Sequence, residues 1–267
     1  MRSFAYHQPN AIPEAVSLLA EQPESRPLAG GMTLIPTLKQ RLAAPAALVD
    51  LAGLPDIKGC SNGNAVVTIG AMTTHAEVAS SPLVKSQIPA LAALASVIGD
   101  PAVRDRGTIG GSVANNDPAA DYPAGVLGLG ATIVTSAREI AAENFFFGLF
   151  ETALKPNEII TAIRFPVPLS AGYAKFKAPA SRYAVVGVFV AKTATGVRVA
   201  VTGAGSGVFR VPQMERALAE AFDPTAIAAI KIDAEGLTSD IHADAGYRAH
   251  LVTVMAKRAV ATALGAA

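Results

Sequence analysis

Residues 104–123 read RDRGTIGGSVANNDPAADYP. Glycine, asparagine, aspartate and proline crowd this stretch, and no helical or strand period runs through it. A compact domain rarely keeps about twenty such residues without a function. The Gly110-Gly111 pair has an upstream counterpart in Gly30-Gly31, each pair standing where a strand-like segment meets a turn. A residue without Cβ lets the main chain approach a ligand closely, and successive N–H groups can then converge on phosphate oxygens as a concave anion site. The hydroxyls of Thr33, Thr108 and Ser112 flank the pairs and can reach the same oxygens. Ordinary tight turns would use the same glycines, so the residues alone leave both readings open. Other phosphate motifs fail. No glycine loop runs into Gly-Lys-Ser or Gly-Lys-Thr, and GAGSG at 203–207 puts Val208 where a dinucleotide fingerprint needs its third glycine. The residues that follow, ending in Pro212, do not open a helix in the normal way, and the segment reads as a loop.

Outward from these loops the chain organises itself by period. Ile12, Ala15, Val16 and Leu19 recur at helical spacing with Pro13 in the first turn. A strand over 26–29, the first glycine turn, a helix over 34–42 and a strand over 47–51 follow. Asn62-Gly63 is the expected turn of a hairpin between 57–60 and 65–71, because it supplies positive φ angles. Thr74 and Glu77 are spaced as a capping box for a helix that Pro82 closes. A helix over 88–98 ends at Gly99. Strands over 131–135 and 159–165 flank Phe145, Phe146 and Phe147. Composition shifts at VPLSAG (167–172), the expected domain boundary. Beyond it come strands over 173–176, 184–191 and 197–203, then helices, the last over 244–264. Strands followed by helices indicate α+β.

Composition excludes several functions. With 22 Lys and Arg against 21 Asp and Glu in 267 residues, the net charge is +1, and the basic patch that nucleic acid or an anionic membrane would demand is missing. One cysteine, Cys60, excludes a disulfide framework and any four-thiolate iron-sulfur or zinc site on this chain alone. No apolar run reaches the ~18 residues of a membrane span, and MRSFAYHQPN is no secretory leader. A cytoplasmic location is expected. His7, His75, His242 and His250 show no metal-ligand spacing and read as structural, so no metal site is expected. Arg104 and Arg106 could serve phosphate or a partner subunit, and read first as surface ion-pair residues.

AGGMTLIPTLKQRLAAPAALVDL (29–51), IGAMTTHAEV (69–78), GTIGGSVANNDPAADYPA (107–124), PASRYAVVGV (179–188) and SDIHADAGYRAHLVTVMAKRAV (239–260) together resemble the FAD-binding medium subunit of molybdenum hydroxylases, the xanthine dehydrogenase and aerobic carbon monoxide dehydrogenase group. The resemblance covers nearly the whole chain. It implies an α+β fold: a vanillyl-alcohol-oxidase (PCMH)-type FAD-binding domain over 1–170, with subdomains of about 1–56 and 57–170, and a small α+β C-terminal domain over 171–267. It implies that Leu28, Ala29, Gly30, Gly31, Met32, Thr33, Leu34 and Ile35 in the first loop grip the FAD pyrophosphate together with Thr108, Ile109, Gly110, Gly111 and Ser112 in the second. By the same resemblance Ile98 packs on the nucleotide, Asp121 contacts the hydroxyl-bearing chain, and Ile160, Lys177 and Tyr183 stand beside the flavin. A cation near the pyrimidine edge of the ring would favour the electron-rich reduced flavin, which gives Lys177 a physical rationale too.

The implied partners are a small 2Fe-2S subunit and a large molybdopterin subunit. Electrons would pass from the iron-sulfur clusters through FAD to NAD, oxygen or a quinone, with no catalytic acid or base required of this chain. Two alternatives are a stand-alone flavin oxidase or reductase of the same fold, needing a substrate-side acid, base or hydroxyl cluster over the ring, and a non-catalytic adaptor without cofactor. On backbone access alone, Gly110→Val should abolish flavin binding and His242→Ala should preserve it. The visible absorbance of the two purified variants checks this.

Overall fold

The structure, a computed structural model, describes residues 1–265. Three sheets carry the chain. The first contains β1 (Ala5–His7), β2 (Arg26–Leu28) and β3 (Ala47–Asp50) in the order β1-β3-β2, all parallel, connected through α1 (Ile12–Glu21) and α2 (Leu34–Lys39). Parallel neighbours need crossovers, and the helix, strand, turn, helix, strand order supplies them. Ala15 and Leu19 of α1 meet Val49, Leu51, Leu54 and Ile57 in a small core that also takes in Met72 and Ile159 from farther along the chain.

The second sheet is antiparallel, β4 (Cys60–Gly63), β5 (Val66–Gly70), β6 (Thr132–Thr135), β7 (Glu139–Ala141) and β8 (Ile160–Pro166), in the order β4-β5-β8-β6-β7. Its hairpin turns at Asn64-Ala65, with φ of 52° and 58°, instead of the expected Asn62-Gly63. Register decides this. Val67 and Ile69 lie opposite Phe165 and Ile163 of β8 on a buried face. A turn at Asn62-Gly63 would have set Lys58 and Asp56 opposite those two side chains, whereas the observed pairing sets Asn62 and Cys60 there. Short helices cover the sheet: α3 (His75–Ser80), α4 (Pro82–Gln87), α5 (Pro89–Ser96), α6 (Pro101–Arg106), α7 (Ile109–Asn115) and α8 (Tyr122–Gly128). The Thr74–Glu77 capping box is present, with the Glu77 N–H donating to Thr74 Oγ1 at 3.2 Å and the Thr74 N–H donating to Glu77 Oε2 at 2.8 Å.

Residues 104–123, which show no period, are largely helical. The end of α6, all of α7 and the start of α8 lie in them. Helices of six or seven residues are too short to display a 3.6-residue repeat. Caps define them instead: Asp100 accepts the Val103 N–H at 2.9 Å, Thr108 accepts the Gly111 N–H at 3.1 Å, and Asn116 ends α7 at φ 43°.

The third sheet holds β9 (Ser170–Lys177), β10 (Ala184–Thr193), β11 (Gly196–Thr202) and β12 (Phe209–Arg210) in the order β12-β11-β10-β9, followed by α9 (Pro212–Glu220) and α10 (Ala245–Ala263). Pro212 does open a helix, at a first-turn position where its missing N–H costs nothing. Alternation along β10 explains its unbroken apolar sequence. Val186, Val188 and Val190 join the core under α9 and α10, while Phe189 and Ala191 join the core of the second sheet. Phe189 is fully buried and lies where Cβ atoms on Gly125 and Gly128 of α8 would meet its ring, at 3.8 and 2.9 Å. One anchor of the third sheet is therefore an aromatic ring in a glycine-lined groove, beside Tyr173, Ala191 and Ala200 in the same core. Phe189→Ala should destabilise the protein by ~3–5 kcal/mol, read as a lowered denaturant midpoint.

Candidate functional site

The two glycine loops meet in space. A Cβ on Gly30 would overlap the Arg106 carbonyl oxygen and lie 2.8 Å from the Gly107 Cα, and one on Gly111 would lie 3.3 Å from the Ala29 Cβ. A Cβ on Gly110 would lie 2.5 Å from the Ala71 Cβ and 2.8 Å from its carbonyl oxygen. Gly30 and Gly110 thus use their missing Cβ for protein against protein, which corrects the expectation that both pairs are bare for the sake of a ligand. Gly31 is different. Its φ of 72° needs glycine, and Leu28 and Ile35 support it from behind.

Backbone donors separate the loops further. In the second loop the Ile109 N–H donates to the Thr73 oxygen at 3.0 Å, the Gly110 N–H to the Ala71 oxygen at 2.9 Å and the Gly111 N–H to Thr108 Oγ1 at 3.1 Å. These amides are committed to the protein. In the first loop, among the described residues, no protein acceptor takes the amides of Gly30, Gly31, Met32 or Thr33. Four successive unspent donors on one turn are the raw material of an anion-binding concavity, which needs no formal positive charge. The second loop contributes hydroxyls, Thr108 and Ser112, and not a second row of amides.

Both loops line a cavity of about 900 Å³, within the ordinary range for cofactor sites. Of the expected residues, Ala29, Gly30, Gly31, Met32, Thr33, Leu34, Ile98, Thr108, Gly110, Gly111, Ser112, Asp121, Ile160 and Tyr183 stand on its wall. Leu28, Ile35 and Ile109 lie behind it as packing, Ile109 fully buried in the main core. Lys177 is exposed and is not on the wall. The lysine that reaches inward is Lys175, two residues earlier on the same face of β9, whose Nζ lies 2.9 Å from Asp121 Oδ1 and donates to the Val97 oxygen at 2.9 Å.

Asp121 is correspondingly committed. Tyr173 donates to its Oδ1 at 2.5 Å and Lys175 to its Oδ2 at 3.0 Å, all three groups being withdrawn from solvent. Burial pushes its carboxyl up, and Lys175 and Tyr173 oppose the rise. Arg104 and Arg106 form no ion pair among the described residues. Arg104 donates instead to the carbonyls of Ile98 and Gly99 at 3.0 and 3.1 Å, which fixes the turn carrying Ile98.

The wall also carries residues that the sequence did not mark: Ser25, Arg26, His75, Asp117, Lys155, Glu158 and Arg182. Ser25 is buried, and among the described residues its hydroxyl has no partner. Burial, reinforced by Arg104, pushes His75 down to about 4, so it is neutral at pH 7 and counts as wall, not as charge. Burial works against ionisation of Glu158, but Arg138, the Lys155 N–H and the Thr135 hydroxyl outweigh it and hold the carboxyl down at about 2. A hint of Arg26 was present in its place directly before the first loop. Lys155 and Glu158 carried no sequence signal, because only the fold brings the turn before β8 to the cavity.

A family model described as the FAD binding domain in molybdopterin dehydrogenase matches residues 2–168. The carbon monoxide dehydrogenase medium chain of Afipia carboxidovorans is 38% identical over 275 residues, covering 97% of this chain and 96% of that one. The nicotine 6-hydroxylase medium subunit of Paenarthrobacter nicotinovorans is 35% identical and covers 98% of this chain and 97% of that one. Among solved structures, reconstituted CO dehydrogenase from Oligotropha carboxidovorans superposes with a TM-score of 0.91 at 34% identity, covering 100% of this chain and 99% of that one. Quinoline 2-oxidoreductase from Pseudomonas putida 86 superposes with a TM-score of 0.91 at 29% identity, covering 99% and 98%. The expected α+β fold class holds.

The glycine packing has a direct test. Gly30→Ala should lower the thermal midpoint of the ligand-free chain, because overpacking of this kind costs ~1–3 kcal/mol, and Gly110→Val should do the same against Ala71. Gly111→Ala, whose Cβ would meet Thr108 Oγ1 at 3.0 Å, should cost less. Thermal unfolding without flavin distinguishes this from a purely ligand-side role, which would leave all three midpoints unchanged.

Proposed function

Because this chain belongs to the family of FAD-binding domains in molybdopterin dehydrogenases, we propose that it is the medium subunit of a multisubunit molybdenum hydroxylase whose FAD passes electrons from a partner's iron-sulfur clusters to an external acceptor. It is an oxidoreductase subunit, and FAD is its cofactor. The observation that supports the site assignment best is the row of unspent amides from Gly30 to Thr33 in a cavity of about 900 Å³. A diphosphate is the group that four such donors suit, in a chain of net charge +1.

In this reading the first loop holds the diphosphate by its amides, Thr108 and Ser112 add hydroxyl donors, and Arg26 supplies a cation at the same wall. Ile98 and Ile160 pack on the flat parts of the cofactor, and Tyr183 stands at its flavin end. Arg26, Lys155 and Arg182 are the cations on the cavity wall, and Lys175 stands behind it, holding Asp121. FAD supplies redox chemistry that accepts and gives electrons singly or in pairs, which lets one-electron clusters meet a two-electron acceptor. The chain's own residues bind, orient and exclude water, and none needs to act as a general acid or base on an organic substrate.

Partner subunits carry the remaining centres. One cysteine cannot supply a cluster, and end-to-end similarity to proteins named medium chain or medium subunit favours a small 2Fe-2S partner and a large molybdopterin partner. NAD, oxygen or a quinone receives the electrons. The same similarity favours a subunit over a stand-alone oxidase. Among the described residues no helix is long and apolar enough to cross a membrane, and the cytoplasm is the proposed location. Residues 1–170 are proposed as the FAD-binding domain and 171–267 as the C-terminal one.

The purified chain should bind FAD and be yellow. Arg26→Ala should weaken binding about tenfold to a hundredfold, since a hydrogen bond to a charged group is worth ~1.5–3 kcal/mol. Fluorescence titration with FAD reads both. A colourless chain with no FAD affinity would end the assignment.

A further inference from the structure

We propose that Asp117 is a proton-exchange group for the flavin, binding a proton from solvent when the cofactor is reduced and releasing it on reoxidation. The inference rests on the FAD reading given above. Asp117 is half-buried between the left-handed end of α7 and the start of α8. It lines the large cavity and also a second one of about 300 Å³ that reaches α10, walled further by Gly203, Thr238, His242 and Arg248. Asp117, Ser181 and Tyr183 are the wall residues common to both cavities. Exposed rim residues Ser181, Asp240 and His242 put the small cavity in reach of water. A proton acquired there can be held within the wall of the flavin site.

Asp117 also differs from the carboxylates around it. Asp121 is paired with Lys175, Asp240 with Arg248 at 2.7 Å and Glu158 with Arg138 at 3.0 Å. Asp117 accepts the Ala119 N–H on Oδ1 at 2.9 Å, and among the described residues neither a second donor nor a cation at ion-pair distance reaches it. The groups that face this region are Arg26, His75, Asp121 with its partner Lys175, Lys155, Glu158, Arg182 and Tyr183 from the large cavity, and His242 with the Asp240–Arg248 pair from the small one. Burial pushes the Asp117 carboxyl up, and Tyr183 is raised further by burial, Asp117 and Asp121.

The balance is simple. Two electrons delivered to a flavin held in the large cavity would add negative charge there, and repulsion would raise the proton affinity of the unpaired Asp117 carboxylate on its wall. Solvent reaching the small cavity past its exposed rim would supply the proton. When the electron pair leaves for the acceptor, the carboxyl returns the proton to water.

Asp117→Asn retains the side-chain oxygen that accepts from Ala119 and removes the titration. The experiment uses the full chain loaded with FAD and follows its midpoint potential from acid to mildly alkaline pH. The wild-type potential should fall more steeply with pH than that of the variant, by up to one extra proton per electron pair over the interval in which Asp117 ionises. The two potentials should agree at the acid end, and the variant should stay higher at the alkaline end. Proton uptake on photoreduction, read with a pH indicator dye, should drop by the same fraction, and Asp117→Glu should restore it. Parallel potential curves and equal proton uptake, with flavin bound in both proteins, would overturn the role of Asp117 alone. A chain without bound flavin would overturn the FAD reading and this inference together.

Discussion

Main chain resting on main chain, with no side chain between, is the constraint from which the site follows. Gly30 touches the Arg106–Gly107 backbone and Gly110 touches Ala71. The first approach holds the turn leaving β2 against the loop before α7, across the boundary between the parallel and antiparallel sheets, and the second holds the start of α7 against the end of β5. A single methyl group at Gly30 would force the two loops apart. The separation would open the cavity between them and spoil the alignment of the four unspent amides.

The electrostatics follow a matching economy. The chain is nearly neutral, and the first loop offers unspent amide dipoles at the cavity beside Arg26, Lys155 and Arg182 on its wall. Cations are used to brace. Lys175 holds the Val97 carbonyl, Arg104 holds those of Ile98 and Gly99, and Arg182 reaches the Gly99 carbonyl at 3.5 Å. Three cations from separate segments thus pin one turn, and that turn places Ile98 on the wall. Carboxylates are mostly neutralised in place, Asp121 by Lys175 and Glu158 by Arg138. Asp117, without a cation of its own, is the exception that can respond to a change of charge in the cavity.

Much of the fold was legible because its signals are local. The apolar spacing of α1 and α10, the Thr74–Glu77 box and the unbroken apolar run of β10 each depend on residues within one or two turns of one another. The two glycine loops were legible for the same reason. Where the reading failed, a distant partner decided. The hairpin turn moved to Asn64-Ala65 because β8 sets the register of β5. Short helices in 104–123 escaped notice because their caps, Asp100, Thr108 and Asn116, and not a period, define them.

By itself the sequence determined the elements with a clear period or cap, such as α1, α10 and β10, the places of the two glycine pairs, and that no iron-sulfur cluster can be built from one cysteine. Those are properties of composition and short-range sterics, written within a few residues of each other. Only the tertiary structure decided what each bare glycine is for, that Lys175 and not Lys177 turns inward, and which amides and carboxylates are left without partners. Hydrogen-bond accounting is a property of the whole packed chain, since an N–H is spent or free according to acceptors that may lie far away in sequence. The Ile109 and Gly110 amides are satisfied by Thr73 and Ala71, residues that nothing near the loop could have foretold.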